Sequence, residues 1–130
     1  MKKILEKKIV VSKEDLDDLN HVNNIVYIHW ILDIAKKHWE SLVSSQTLEN
    51  YHWVLLDHNI KYLRPALLKD KIKIKTFVEK TAGVKSSRVV EIYNDNSEKL
   101  LVSSITNWCL ISSKTNKPCR IPKEIVEVFS

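Results

Sequence analysis

Between Ile25 and Leu42 the apolar residues Ile25, Ile28, Leu32, Ala35, Trp39 and Leu42 recur at spacings of three and four, and from Leu56 onward the period changes to two. The first period belongs to an amphipathic helix and the second to half-buried strands. The spacing predicts one helix over Asn24 to Leu42, about 28 Å long, with Asn23 or Asn24 as its N-cap. His29, Asp33, Lys36, Lys37 and Glu40 form its polar stripe. Val26, Tyr27, Trp30, Ile31 and Ile34 widen the apolar surface of its first half, so other structure must wrap it.

The rest of the chain reads as strands. A short first strand is expected over Ile9 to Ser12, and Lys13 to Asn20 as a polar loop feeding the helix. Alternation marks Leu56 to Leu63, Lys71 to Glu79 and Ser86 to Tyr93, while Leu100 to Ile111 is apolar on both faces and hence central. Gly83, the single glycine, and Asn94 to Ser97 mark turns; Thr115-Asn116 makes another, before Pro118 and Pro122 lead into a short tail. One helix and an antiparallel meander give an α+β fold, with the helix against one sheet face. Lysines at 71, 73 and 75 are expected to guard an edge strand, and the apolar load predicts a dimer. No linker or repeat divides the sequence, so residues 1–130 are read as one domain.

Composition removes several chemistries. A single glycine excludes glycine-rich phosphate loops and the G-x-S-x-G elbow. The histidines at 21, 29, 38, 52 and 58 form no metal-binding pattern, and nothing implies a cofactor. Cys109 and Cys119 have no C-x-x-C spacing and are expected to be reduced thiols. The N-terminal Lys2-Lys3-Ile4-Leu5-Glu6-Lys7-Lys8 has no apolar core of an export signal, and no apolar run is long enough to span a membrane, so the expectation is cytoplasmic. A net charge of +5 suits an anionic partner.

Reactive chemistry concentrates just before the helix, in Asp15-Leu16-Asp17-Asp18-Leu19-Asn20-His21-Val22-Asn23-Asn24. Free N–H groups at a helix start can hold an oxyanion, and a carboxylate beside them can act as base or nucleophile. The pattern D-L-D-x-x-x-H-V-N-N-x-x-Y-x-x-W resembles the loop-and-helix signature of hotdog-fold acyl thioesterases. Asn59 to Ala66 with Asp70, and Thr115 to Pro122, resemble two further blocks of that superfamily, in its acyl-CoA and acyl-ACP branch.

The resemblance implies a thioesterase that hydrolyses acyl-CoA or acyl-ACP in a homodimer or homotetramer. Its acyl tunnel would lie between helix and sheet, and its site at a subunit interface. It gives Asp17 the role of base or nucleophile, has His21 orient water or the loop, and makes the amides from Val22 to Asn24 the oxyanion donors. Asn23 shapes the site, and Ser86, Ser87 and Arg88 approach the pantetheine or phosphate groups. Asp33 is the reserve carboxylate. The chain departs from relatives at Leu19, where some carry asparagine, and at Arg64-Pro65, where some carry a glutamate or cysteine. Those departures motivate a second reading, a non-catalytic acyl or acyl-carrier binding module. Nucleic-acid binding through Lys69, Lys71, Lys73 and Lys75 is set aside, because only Phe77 joins that row.

Overall fold

The computed structural model describes residues 2–130. Helix α1 runs Asn24–Leu42, the bounds its periodicity predicts. Asn23 is the cap: its side-chain oxygen accepts from the Ile25 N–H at 3.0 Å, which satisfies one open donor of the first turn. The buried face is rotated from the expected stripe. Tyr27, Ile31, Ile34, Ala35, His38 and Trp39 are buried, whereas Ile25 is 61% exposed. Part of the cause is Tyr27, whose hydroxyl accepts from the Ala66 N–H at 3.0 Å and ties the first turn inward.

Five strands follow the alternation: β1 (Leu5–Val10), β2 (Tyr51–Tyr62), β3 (Lys71–Ala82), β4 (Lys85–Asn94) and β5 (Leu100–Ser112). They form one antiparallel sheet in the order β1-β3-β4-β5-β2. Ile72, Ile74, Thr76 and Val78 of β3 are buried together with Ser86, Arg88, Val90 and Ile92 of β4. Helix α1 packs on this inner face, which is the hotdog arrangement. Gly83 turns the β3–β4 hairpin at φ +64°, a conformation that strains other residues.

The expected meander therefore holds only for β3, β4 and β5. Central β5 needs a partner on each side, and β2 crosses to the far edge to supply the second one. The lysine strand is not an edge either: β3 lies between β1 and β4, and Lys73 projects from it over the Tyr93 ring at 5.4 Å. The edges are β1 and β2. The first strand also comes earlier than Ile9 to Ser12, because Ser12 leaves the sheet to cap a 3-10 turn over Lys13–Asp15, bonding Asp15 Oδ2 through its own N–H at 2.9 Å.

Two short helices had no periodic signal. Helix α2 (Ser45–Asn50) is mostly polar and starts from the Ser44 hydroxyl, which accepts from the Thr47 N–H at 3.2 Å. It leads into β2 five residues before the expected start. In the tail, α3 (Lys123–Val128) buries Ile125 and is followed by buried Phe129. The interior divides in two. Under the first half of α1 lies an aliphatic cluster that includes Ile31, Ile34, Ile72, Ile74, Val90 and Ile92; towards its end lies a cluster built on Trp39, Val78, Leu110 and Phe129, with Tyr51 and Trp53 against it. No helix among the described residues is long and apolar enough to cross a membrane.

Candidate active site

The segment before α1 closes into a tight loop pinned at its base. Leu16 bridges Val22 and His21 bridges Leu67. The Asp17 N–H donates to the His21 carbonyl at 2.7 Å, and Asn20 turns the chain at φ +62°, a left-handed conformation that asparagine tolerates. Asp17 organises this loop. Its Oδ1 accepts from the N–H groups of Leu19 (2.9 Å) and His21 (3.1 Å), while Oδ2 has no hydrogen bond among the described residues. Two amides hold the half-buried carboxylate in one orientation with one oxygen available.

That carboxylate lines a cavity of about 220 Å³ together with His21, Val22, Asn24, Tyr27, Tyr62 and Arg64. The loop thus brings Asp17, His21, Val22 and Asn24 to one place. Of the amides proposed as oxyanion donors, Val22 N–H already donates to the Ala66 carbonyl (3.0 Å) and Asn23 N–H to the Asp15 carbonyl (2.9 Å). They are used in pinning the loop. The Asn24 N–H, first in α1 and at the positive end of its dipole, has no acceptor among the described residues. The Asn23 side chain caps the helix and supports the site from below.

The motif's tyrosine, Tyr27, borders the same cavity, a role its apolar place on the helix does not suggest. Burial pushes its hydroxyl pKa above the ordinary value against the Ala66 hydrogen bond, and Asp70, Tyr62 and Asp17 add to the rise, so it remains a protonated donor. Its ring meets Trp30 edge-on at 5.5 Å and Tyr62 at 5.8 Å. Arg64 is exposed at this cavity, with Nη1 donating to the Leu100 carbonyl at 3.2 Å.

The other candidates lie elsewhere. Asp33 is exposed on the polar stripe and paired with Lys37 (3.0 Å) and Lys7 (3.3 Å). Those lysines hold its carboxyl below the usual carboxylate range, the Lys37 hydrogen bond foremost. Strand alternation splits Ser86, Ser87 and Arg88. Ser87 is on the outer face, donating to the Asn107 side-chain oxygen. Ser86 and Arg88 are buried on the inner face, where they line a second cavity of about 600 Å³ with Trp39, Tyr51, Trp53, Leu55, Trp108 and Phe129.

In that cavity Arg88 Nη1 donates to Nδ1 of buried His38 (2.8 Å) and to Thr76 Oγ1 (3.0 Å). Burial, and then the Arg88 charge, lower the His38 pKa to about 4, so the ring is neutral and accepts. His38 was not singled out as a site residue. The available signal was its place four residues after Ile34 and seven after Ile31, in phase with the buried face.

Residues 3–129 match the model of the acyl-ACP thioesterase N-terminal domain family. The chain is 26% identical over 129 residues to the long-chain acyl-CoA thioesterase FadM of Escherichia coli (strain K12), with 95% of each covered. The crystal structure of YbaW, a probable thioesterase from Escherichia coli, superposes with a TM-score of 0.85 at 26% identity, covering 95% of this chain and 94% of that one. The fold is also that of a 1,4-dihydroxy-2-naphthoyl-CoA thioesterase from Synechocystis, with a TM-score of 0.83, 16% identity, and coverage of 98% and 96%.

Proposed function

Since the chain belongs to the acyl-ACP thioesterase N-terminal domain family, we propose that it hydrolyses acyl-CoA or acyl-ACP thioesters by a water attack that Asp17 promotes. The observation that carries this reading is Asp17 itself, with one oxygen tied to two amides and the other free beside the start of α1. Water gives its proton to Asp17 Oδ2 as its oxygen adds to the thioester carbonyl. The Asn24 N–H stabilises the oxyanion, with the Tyr27 hydroxyl as a second donor. Collapse breaks the carbon–sulfur bond, and the departing thiolate takes the proton. His21 orients the water, and Arg64 meets the phosphates or the acidic carrier.

The acyl chain needs an apolar channel, and the cavity of about 600 Å³ has suitable size and lining. It lies at the other end of α1 from Asp17. Strand β2 connects the two ends: Tyr51, Trp53 and Leu55 border the apolar cavity, and Tyr62 borders the polar one. Its edge is free, and Val54, Leu55 and Leu56 expose 43%, 36% and 48% of their surface. A second copy pairing antiparallel across β2 turns the Asp17 loop of one protomer towards the apolar cavity of its partner. The working unit is then a homodimer whose sites are shared. A solvated base and a chain-length slot come from different copies.

Asp17→Asn keeps an acceptor for the Leu19 and His21 amides but cannot take a proton, so it folds and loses about 10² to 10⁴ in thiol-release rate. Near-normal turnover removes Asp17 from the mechanism. Tight acyl-CoA binding without release by the wild type selects the non-catalytic binding module. Ala35→Phe, which fills the apolar cavity, supplies a second inactive parent. Refolding the two variants together restores roughly a quarter of wild-type activity if sites are shared between copies, and none if each protomer works alone.

A further inference from the structure

Arg88 is a buried cation without a counter-charge among the described residues. It is 5% exposed, and its hydrogen bonds among the described residues are to His38 Nδ1, a neutral acceptor, and Thr76 Oγ1, both through Nη1. The guanidinium carbon sits 5.6 Å from the centre of the Phe129 ring. Its Nε and Nη2 donors have no protein acceptor among the described residues. Of the ion pairs among those residues, none includes Arg88.

The surroundings make that isolation costly. The cavity beside Arg88 is walled by Trp39, Trp53, Trp108, Leu55 and Phe129. One carboxylate borders it, that of Glu40, and it is exposed and unpaired with Arg88; exposed Lys36 adds a second positive charge. Burial brings the Arg88 pKa down to about 10, which leaves the group charged at neutral pH. A charge kept in such a place without a partner carries a desolvation cost that a ligand bearing the opposite charge would offset.

We propose that this cavity takes an apolar chain ending in a carboxylate, which Arg88 receives through its free Nε and Nη2 donors. Guanidinium presents two parallel N–H groups that match a carboxylate, and the aromatic walls fit the chain. This deepens the assignment of the cavity as the acyl pocket and rests on it. Two sources share the chemistry. The carboxylate is either the far end of a dicarboxylic acyl group or the end of a released fatty acid.

The test separates binding from turnover. Trp39, Trp53 and Trp108 border the cavity, so tryptophan emission reports its occupancy. Decanoate is titrated against decanol, the same chain without the charge. Wild type is expected to bind decanoate about tenfold or more tightly than decanol at neutral pH. Arg88→Met loses that preference and Arg88→Lys keeps part of it, with circular dichroism verifying the fold of each. Equal binding of acid and alcohol by wild type, no binding of either, or an undiminished acid preference in a folded Arg88→Met overturns the proposal. The wild-type comparison needs no variant to fold.

Thiol release then identifies the source. A CoA half-thioester of a dicarboxylic acid, cleaved faster than the monocarboxylic thioester of equal length with the advantage lost in Arg88→Met, places the carboxylate on the substrate. Inhibition of the plain thioester by decanoate, relieved in Arg88→Met, places it on the product. Carboxylate binding without hydrolysis of any thioester overturns the thioesterase reading and leaves the Arg88 site standing. Hydrolysis without acid preference does the reverse.

Discussion

The two halves of α1 rest on different kinds of interior. Beneath the first half, Ile31, Ile34, Ile72, Ile74, Val90 and Ile92 are each at most 1% exposed and pack in one cluster, bordering neither cavity described above. Beneath the second, aromatic rings stand around an opening of about 600 Å³ bordered by buried Arg88, which is itself hydrogen-bonded to buried His38. The contrast matches what the proposed function asks of each end. Val22, Tyr27 and Ala66 belong to the solid cluster and anchor the loop that aims Asp17, where a small displacement is costly. In the proposed function the hollow end has only to admit the acyl chain.

This contrast breaks most directly by excavation of the solid end. Ile34→Ala removes a fully buried side chain where nothing can relax into the gap, and a loss of about 2–5 kcal/mol is expected in urea unfolding. A loss below about 1 kcal/mol shows that this end is softer than its packing implies.

The hollow end is sharper in its acid response. His38 is held neutral with a pKa near 4 against an ordinary 6.5, so the unfolded chain binds the extra proton between those values. Its contribution is present above pH 6.5 and is lost as pH falls towards 4, to the extent of about 3 kcal/mol. His38→Gln should therefore show a shallower decline of unfolding free energy than wild type between about pH 7 and about pH 4. Parallel declines separate His38 from the acid sensitivity.

The smallest effect is the most comparative. Ala66 and Ala35 are both buried, one in the solid cluster and one at the cavity. Ala66→Phe overpacks and costs about 1–3 kcal/mol or more, whereas Ala35→Phe enters open space and stays within about 1 kcal/mol of wild type. Equal melting temperatures for the two variants erase the distinction between the halves.

Sequence reading reached the solid end more completely than the hollow one. The helix bounds follow from the 3.6-residue period over Asn24–Leu42, and the hairpin at Gly83 from its glycine, because both signals are local. Strand order is not local. Nothing within Tyr51–Tyr62 says that it will cross to β5, since the choice depends on β5 needing a second partner. The inward turn of Arg88 was encoded, two residues before buried Val90 and four before buried Ile92, but arginine is read as a surface residue until a buried acceptor is known. That acceptor, His38, lies fifty positions away. At Asp17 the residue types pointed to a reactive carboxylate beside a helix start, whereas the loss of the Val22 and Asn23 amides to the Ala66 and Asp15 carbonyls needed coordinates.

The strand order also dictates when the molecule can be assembled. Both outer strands come from the first half of the chain, yet β1 bonds to β3 and β2 to β5. A ribosome extruding this polypeptide releases Ile31, Ile34 and Trp39 on an uncovered helix before any sheet exists to receive them. The three later strands pair with their immediate neighbours, the contacts of lowest sequence separation in the sheet. The apolar face of α1 therefore gains its full sheet cover only after Ser112 has been made, and until then such a surface is prone to association.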